Sequence, residues 1–220
     1  MKTLESTVFL KDKNKIFTQN PNHCKKIKVY NEKIIKIKGE EYRSWNPFRS
    51  KLAAAILKGY NLELKQDSKV LYLGAATGTT VSHVSDIVKD GMVFSVEISP
   101  VALKNLIKVC ENRQNIIPIL ADANHPDRYS PIVSQVDFIY QDISQRNQTE
   151  IFTNNLKKYL KPGGNGVLMV KARSIDVALK PERVYELVCL KLKEQGLKVL
   201  EKIDLKPYEK DHAAIIVANK

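Results

Sequence analysis

One stretch constrains this chain more than any other: Val70-Leu71-Tyr72-Leu73-Gly74-Ala75-Ala76-Thr77-Gly78-Thr79-Thr80. An apolar, β-prone run ends abruptly in small residues, which reads as a buried parallel strand stopping at a tight loop. Val81 to Val88 then has the apolar spacing of a helix. Strand, glycine loop and helix form the opening unit of a nucleotide-binding α/β domain. Glycine lets the backbone approach a ligand closely, and the amides at the helix start can meet a carboxylate or phosphate.

The glycine spacing is not that of a dinucleotide fingerprint, G-x-G-x-x-G. Gly74 and Gly78 enclose three residues, and no third glycine follows. A second strand, Met92 to Val96, ends in Glu97. An acid there can accept hydrogen bonds from both ribose hydroxyls, at about the 20-residue distance expected of a ribose-binding acid. An adenosine ligand fits. S-adenosylmethionine is favoured over NAD because the loop lacks the pyrophosphate glycines. The plain alternative is a structural strand–helix turn followed by a surface glutamate.

Downstream, strand and helix patterns alternate. Strand 70–73 leads to helix 80–89, and strand 92–97 to helix 100–112, with Pro100 in its first turn. Strand 116–120 leads to the loop 121–126 and a short helix near 127–134. Strand 136–141 leads to helix 148–160, which stops at Lys161-Pro162-Gly163-Gly164. Strand 166–171 leads to helix 181–195, stopping at Gly196. The last two strands, 197–205 and 213–218, are too close for a helical crossover and should form a hairpin. The expected fold is α/β: a Rossmann-like, seven-stranded sheet with a reversed last strand, the class I methyltransferase arrangement.

Residues 1–46 differ from this pattern. Thr7–Leu10, Lys13–Phe17, Lys25–Tyr30 and Lys33–Ile37 are short and β-prone. They read as a small antiparallel β domain, 1–46, ahead of a larger domain, 47–220. Such a sheet is too small to hold much core alone and should lean on the larger domain, with docking as its role. Phe48 to Lys58 reads as a helix, Pro47 in its first turn and Gly59 at its C-terminal cap.

The formal net charge is +12, from 36 basic and 24 acidic residues. That balance points to an anionic partner: nucleic acid first, with a membrane surface or the ribosome behind it. A solvated lysine-rich face is the bland reading. Cys24, Cys110 and Cys189 are widely spaced and suit buried thiols rather than disulfides or a metal site. No apolar run is long enough to span a membrane. The opening Met1 to Ser6 does not read as a signal peptide. A soluble intracellular protein is expected.

Four segments carry a resemblance: 45–53 (Trp-Asn-Pro-Phe-Arg-Ser-Lys-Leu-Ala), 73–86 around Gly74 and Gly78, 170–176 (Val-Lys-Ala-Arg-Ser-Ile-Asp) and 207–213 (Pro-Tyr-Glu-Lys-Asp-His-Ala). Together they resemble fibrillarin, in its archaeal form without a glycine-arginine-rich tail. The resemblance implies an RNA 2′-O-ribose methyltransferase using S-adenosylmethionine, acting on pre-rRNA and tRNA. It implies assembly into a box C/D guide ribonucleoprotein in the cytoplasm of an archaeal-like cell. Its companions would be a Nop-domain scaffold protein, a kink-turn-binding subunit, a guide RNA and a target RNA.

Lys51, Asp142, Lys171 and His212 match the family's catalytic Lys-Asp-Lys-His set. For the cofactor, the resemblance points to Gly74 and Ala75 in the loop, and to Thr79 and Thr80 at the methionine end. Glu97 is implied at the ribose, Ile98 and Asp122 at the adenine with Ala123 beside them, and Asp142, Ile143, Ser144 and Gln145 at the methyl end. Ile98 stands where the family usually has phenylalanine. Ser144 and Arg146 replace alanine and proline, adding a hydroxyl and a charge expected near the sulfonium. Lys171 is expected nearest the 2′-oxygen. Neutral, it could accept the hydroxyl proton; charged, it could only stabilise the alkoxide. His83 reads as structural. Two other functions stay open: a stand-alone RNA base or tRNA methyltransferase, and a non-catalytic RNA-binding subunit.

Overall fold

The computed structural model describes residues 2–4, 8–11 and 15–219. Seven strands build the main sheet: β6 (Lys69–Leu73), β7 (Met92–Glu97), β8 (Ile116–Leu120), β9 (Val136–Gln141), β10 (Leu160–Lys171), β11 (Lys198–Asp204) and β12 (His212–Ala218). Their order is β11-β12-β10-β9-β6-β7-β8, and β12 runs antiparallel to both neighbours. The expected reversed last strand is present. Alternate residues of β6 feed two cores: Val70 and Tyr72 pack on one face, Leu71 and Leu73 on the other. Helices α1 (Lys51–Leu57), α2 (Thr79–Ile87) and α3 (Pro100–Cys110) supply the first face. Helices α4 (Gln148–Tyr159) and α6 (Pro181–Glu194) supply the second, and a short α5 (Ala172–Ile175) follows β10. Burial on both faces explains the continuous apolar runs of the central strands.

A second sheet of five antiparallel strands has the order β1-β2-β3-β5-β4: β1 (Lys2–Leu4), β2 (Val8–Lys11), β3 (Lys15–Gln19), β4 (Ile34–Ile37) and β5 (Glu40–Trp45). The small antiparallel sheet is as expected; its strand assignment needs correction. Lys25–Tyr30 is not a strand. Three of its backbone donors go to carboxylates, the Lys26 amide to Glu41 and the Val29 and Tyr30 amides to Glu32, and the Ile27 amide turns back to the Cys24 carbonyl. Lys26 and Asn31 also take positive φ values. Glu40–Trp45 is a strand instead. Its inward residues are Glu41, Arg43 and Trp45, a polar interior that apolar alternation does not reveal. Lys2–Leu4 is likewise a strand, and expected residues 7 and 13–14 lie outside the described ones.

The small sheet leans on α2 through a buried charged cluster. Arg43, with no exposure, donates to Glu32 at 2.7 Å and to Asp86 at 2.6 Å, and Arg113 donates to Asp86 at 3.2 Å. His83 sits inside this cluster. Its ring stacks on Trp45 at 4.9 Å, with the Thr18 and Tyr30 hydroxyls 2.7 Å from its two nitrogens. Burial, and then Arg43 and Arg113, hold its pKa well below the usual histidine value, so the ring is neutral. It holds structure together, as expected.

Two boundaries also move. Helix α1 begins at Lys51, not Phe48, because Ser50 is its N-cap and accepts from the Ala53 amide. Pro47 therefore lies in a turn before the helix, while Gly59, at φ +113°, follows its C-cap as expected. Leu160–Gly164 belongs to β10, whose pairing with β9 shifts register between Leu160 and Asn165.

Candidate active site

The carboxyl ends of β6, β7, β8 and β9 surround a cleft of about 320 Å³. Gly74, at φ +85°, ends β6, and its amide donates to the Val96 carbonyl. A Cβ added there would come within 2.3 Å of the Asp142 carbonyl oxygen, so this crossing of two loops admits only glycine. Glu97 caps β7 and is 8% exposed. Its Oε2 accepts from the Ala76 amide at 2.7 Å and its Oε1 from the Ser99 amide at 2.8 Å. One carboxylate thus braces the glycine loop and the start of α3 while facing the cleft.

Asp122 follows β8. Its Oδ1 accepts from the Asn124 amide at 2.9 Å and from Asn124 Nδ2 at 3.0 Å. The Asn124 backbone amide, above other causes, holds the carboxyl below its usual pKa and keeps it ionised. Asn124 also donates to Gln145 Oε1 at 2.8 Å and accepts from Asn147 Nδ2 at 2.7 Å, joining the loops after β8 and β9. Ile98, Ala123, Ile143, Ser144 and Gln145 complete the wall. Ile98 is 56% exposed at the rim.

Three positions sit differently from the rest. Ala75 is buried beneath the loop. The Thr80 hydroxyl turns inward and donates to Ser50 Oγ at 3.0 Å. Thr79 lines a neighbouring groove with Tyr30 and Arg49. Neither threonine side chain is among the residues that line the cleft. Arg146 is a correction. Expected near the sulfonium, it lines a groove between α4 and α6 instead, because the chain turns into α4 directly after Gln145.

The four expected catalytic residues come from four elements and fall into two adjacent pairs. Lys51 opens α1, and its Nζ lies 2.9 Å from both oxygens of Asp142, which follows β9. Lys171 ends β10 and pairs in register with His212, the first residue of β12. Directly opposed residues of an antiparallel pair share one sheet face, so the two side chains are neighbours. Lys171 Nζ makes no ion pair or hydrogen bond among the described residues. His212 Nδ1 is 2.7 Å from the Lys210 carbonyl, which can only accept, so Nδ1 carries a proton and Nε2 is the free nitrogen.

Gln148 was not visible as a site residue in the sequence. Fully buried, it accepts from the Lys171 amide at 3.1 Å and donates to the Gln145 and Lys171 carbonyls. It ties the end of β10 to the cleft wall. Its only signal was a polar residue starting α4, which resembles any helix terminus.

A glycine loop, a strand-end glutamate and a strand-end aspartate, set at the carboxyl ends of a seven-stranded sheet with one reversed strand, define a class I methyltransferase architecture. A solved S-adenosylmethionine-dependent methyltransferase from Aquifex aeolicus shares that fold at TM-score 0.56 and 19% identity, covering 79% of this chain and 89% of its own. A closer grouping follows from the family model described as fibrillarin, which matches residues 2–220. A fibrillarin-like rRNA/tRNA 2′-O-methyltransferase of Methanocaldococcus jannaschii is 50% identical over 190 residues, 86% of this chain and 83% of that protein. The chain is also similar to a fibrillarin in a solved fibrillarin/Nop5p complex (TM-score 0.88, 46% identity, covering 97% and 98%). A further likeness is Aeropyrum pernix fibrillarin with natively bound S-adenosyl-L-methionine (TM-score 0.83, 42% identity, covering 93% and 89%). This chain belongs to the fibrillarin family. Among the described residues no helix is long and apolar enough to cross a membrane.

Proposed function

We propose that this chain transfers the methyl group of S-adenosylmethionine to the 2′-oxygen of a ribose in rRNA or tRNA. The observation that carries this reading is the Lys51–Asp142 pair at the mouth of a cleft walled by Glu97 and Asp122. The donor set fits adenosine. Glu97 has lone pairs left for two ribose hydroxyls beyond the two amides it accepts. Asp122 Oδ2 has no hydrogen-bond partner among the described residues and suits an exocyclic amine. When bound, S-adenosylmethionine supplies an electrophilic methyl on a sulfonium.

The chain's own residues then align, hold charge and handle one proton. Asp142 sets negative charge beside the cationic end of the cofactor, and Lys51 holds its carboxylate in place. Lys171 faces the ribose hydroxyl. It either takes the proton as a free amine or stabilises the developing alkoxide as an ammonium. His212 Nε2 orients the ribose or its phosphate. Gln148 fixes the backbone on which Lys171 rides.

The assembly we propose is a box C/D guide ribonucleoprotein in the cytoplasm of an archaeal-type cell. A Nop-domain scaffold and a kink-turn-binding subunit would present a guide–target duplex to the face carrying Lys51, Asp142, Lys171 and His212. A surface with net charge +12 meets phosphates without reading bases. Such binding is weak and falls steeply with salt. A misplacement of about 1 Å can cost 10²-fold in rate. The test compares a short target RNA at physiological salt with and without guide RNA and the two companion proteins. Site-specific product only in the full assembly is expected. Equal rates from the lone chain would favour a stand-alone methyltransferase.

A further inference from the structure

Phe48 is 63% exposed at the tip of an ordered turn. Its amide donates to Asn46 Oδ1 at 2.9 Å, the Arg49 amide donates to the Asn46 carbonyl at 3.1 Å, and Pro47 restricts the backbone between them. A large apolar ring held this firmly in water has no role in the core. It meets Tyr208 edge to face, with centroids 5.3 Å apart and planes at 69°. Tyr208 is half-buried against the core and so provides a fixed backing. The pair lines a cavity of about 620 Å³ together with Ile16, Trp45, Pro47 and the exposed Lys15 and Lys33. Phe48 lies three residues before Lys51, and Tyr208 four before His212. The two segments that carry catalytic candidates therefore also carry the aromatic pair.

We propose that Phe48, backed by Tyr208, is a stacking platform for an RNA base adjacent to the nucleotide whose ribose is methylated, with Lys15 and Lys33 meeting the strand's phosphates. This rests on the RNA 2′-O-methylation reading above. An open aromatic face stacks any base, and flanking cations follow the backbone, which is the pairing that single-stranded nucleic acid requires. An acidic protein segment would use the lysines and leave the ring face without a partner of matching shape. Stacking is tolerant of sequence, so target choice stays with guide pairing. The ring would act as a positioning residue, fixing how the ribose enters the Lys51, Asp142, Lys171 and His212 face.

The experiment uses the full assembly with target RNAs carrying 2-aminopurine immediately 5′ or 3′ of the modified nucleotide. Binding should quench one of the two probes. Phe48→Ala should remove that quench and lower kcat/KM for RNA roughly 5- to 150-fold. Its S-adenosylmethionine affinity by calorimetry should match wild type. Phe48→Trp should restore both quench and rate. An unchanged quench and kcat/KM in Phe48→Ala overturns the platform. So does a loss traced by size-exclusion chromatography to failed docking of the scaffold protein, since a protein then occupies the ring. A wild-type assembly that binds RNA but yields no 2′-O-methyl product overturns the reading beneath it and the platform together.

Discussion

Glu97→Ala tests the cofactor site through one carboxylate with two duties. The side chain accepts the Ala76 amide at 2.7 Å and the Ser99 amide at 2.8 Å, and it lines the cleft at 8% exposure. A hydrogen bond to a charged partner is worth about 1.5–3 kcal/mol. Alanine removes the ligand's bonds and also frees the glycine loop, while water entering the cleft re-solvates the two amides. The net loss in S-adenosylmethionine binding should be about 1–3 kcal/mol, or roughly 5- to 150-fold in Kd. Glu97→Gln keeps the size and one carbonyl oxygen but offers an amide group where two donors point. It should lose about half as much, on the order of 1 kcal/mol. Isothermal titration calorimetry on the isolated chain measures both. A natively folded Glu97→Ala variant with wild-type affinity would remove Glu97 from the binding site.

Other perturbations separate chemistry from scaffold. Lys171→Ala should abolish turnover in the assembly while calorimetric cofactor affinity stays near wild type, because its role lies in the transition state; near-normal kcat would assign the proton elsewhere. In the wild type, a rate that climbs through an ionisation with rising pH marks Lys171 as proton acceptor, whereas a rate without that rise marks it as a fixed cation. Asp86→Ala leaves the buried guanidiniums of Arg43 and Arg113 short of an anion. It should cost about 3–5 kcal/mol in denaturant unfolding, and a loss under about 1 kcal/mol would show that the cluster relaxes freely. His83 is held neutral by burial, so the unfolded chain binds a proton the fold rejects. That contribution is complete above about pH 6.5 and falls as pH drops, by up to about 1.4 kcal/mol per pH unit. Unfolding midpoints at pH 7 and 5.5 should show the decline, and His83→Gln should flatten it.

Where apolar periodicity and buried strands coincide, the sequence was enough. Ile116–Leu120 and Val136–Gln141 fall where their β-branched and aromatic runs end, and Met92–Glu97 places its acid at the strand end. Lys51, Asp142, Lys171 and His212 were legible only through the family resemblance, since 160 residues separate the first from the last. What stayed hidden has a polar interior. Strand β5 turns Glu41 and Arg43 inward because Glu32 and Asp86 await the guanidinium. Lys25–Tyr30 alternates like a strand, yet its Lys26, Val29 and Tyr30 amides are taken by Glu41 and Glu32. Gln148 and Asn124 act through hydrogen bonds between loops, which no local spacing encodes. Phe48 looked like the first apolar residue of a helix until Ser50 proved to be the cap.

In the proposed reaction the methyl group goes to a ribose oxygen at one guided position. Mass spectrometry of nucleosides from target RNA, after reaction with the complete assembly, tests it directly when paired with a target carrying a single 2′-deoxynucleotide at that position. The all-ribose target should yield one 2′-O-methylnucleoside, at the guided nucleotide, and the deoxy target no product. Methylation of the deoxy target, or a methyl group on a base, would contradict it.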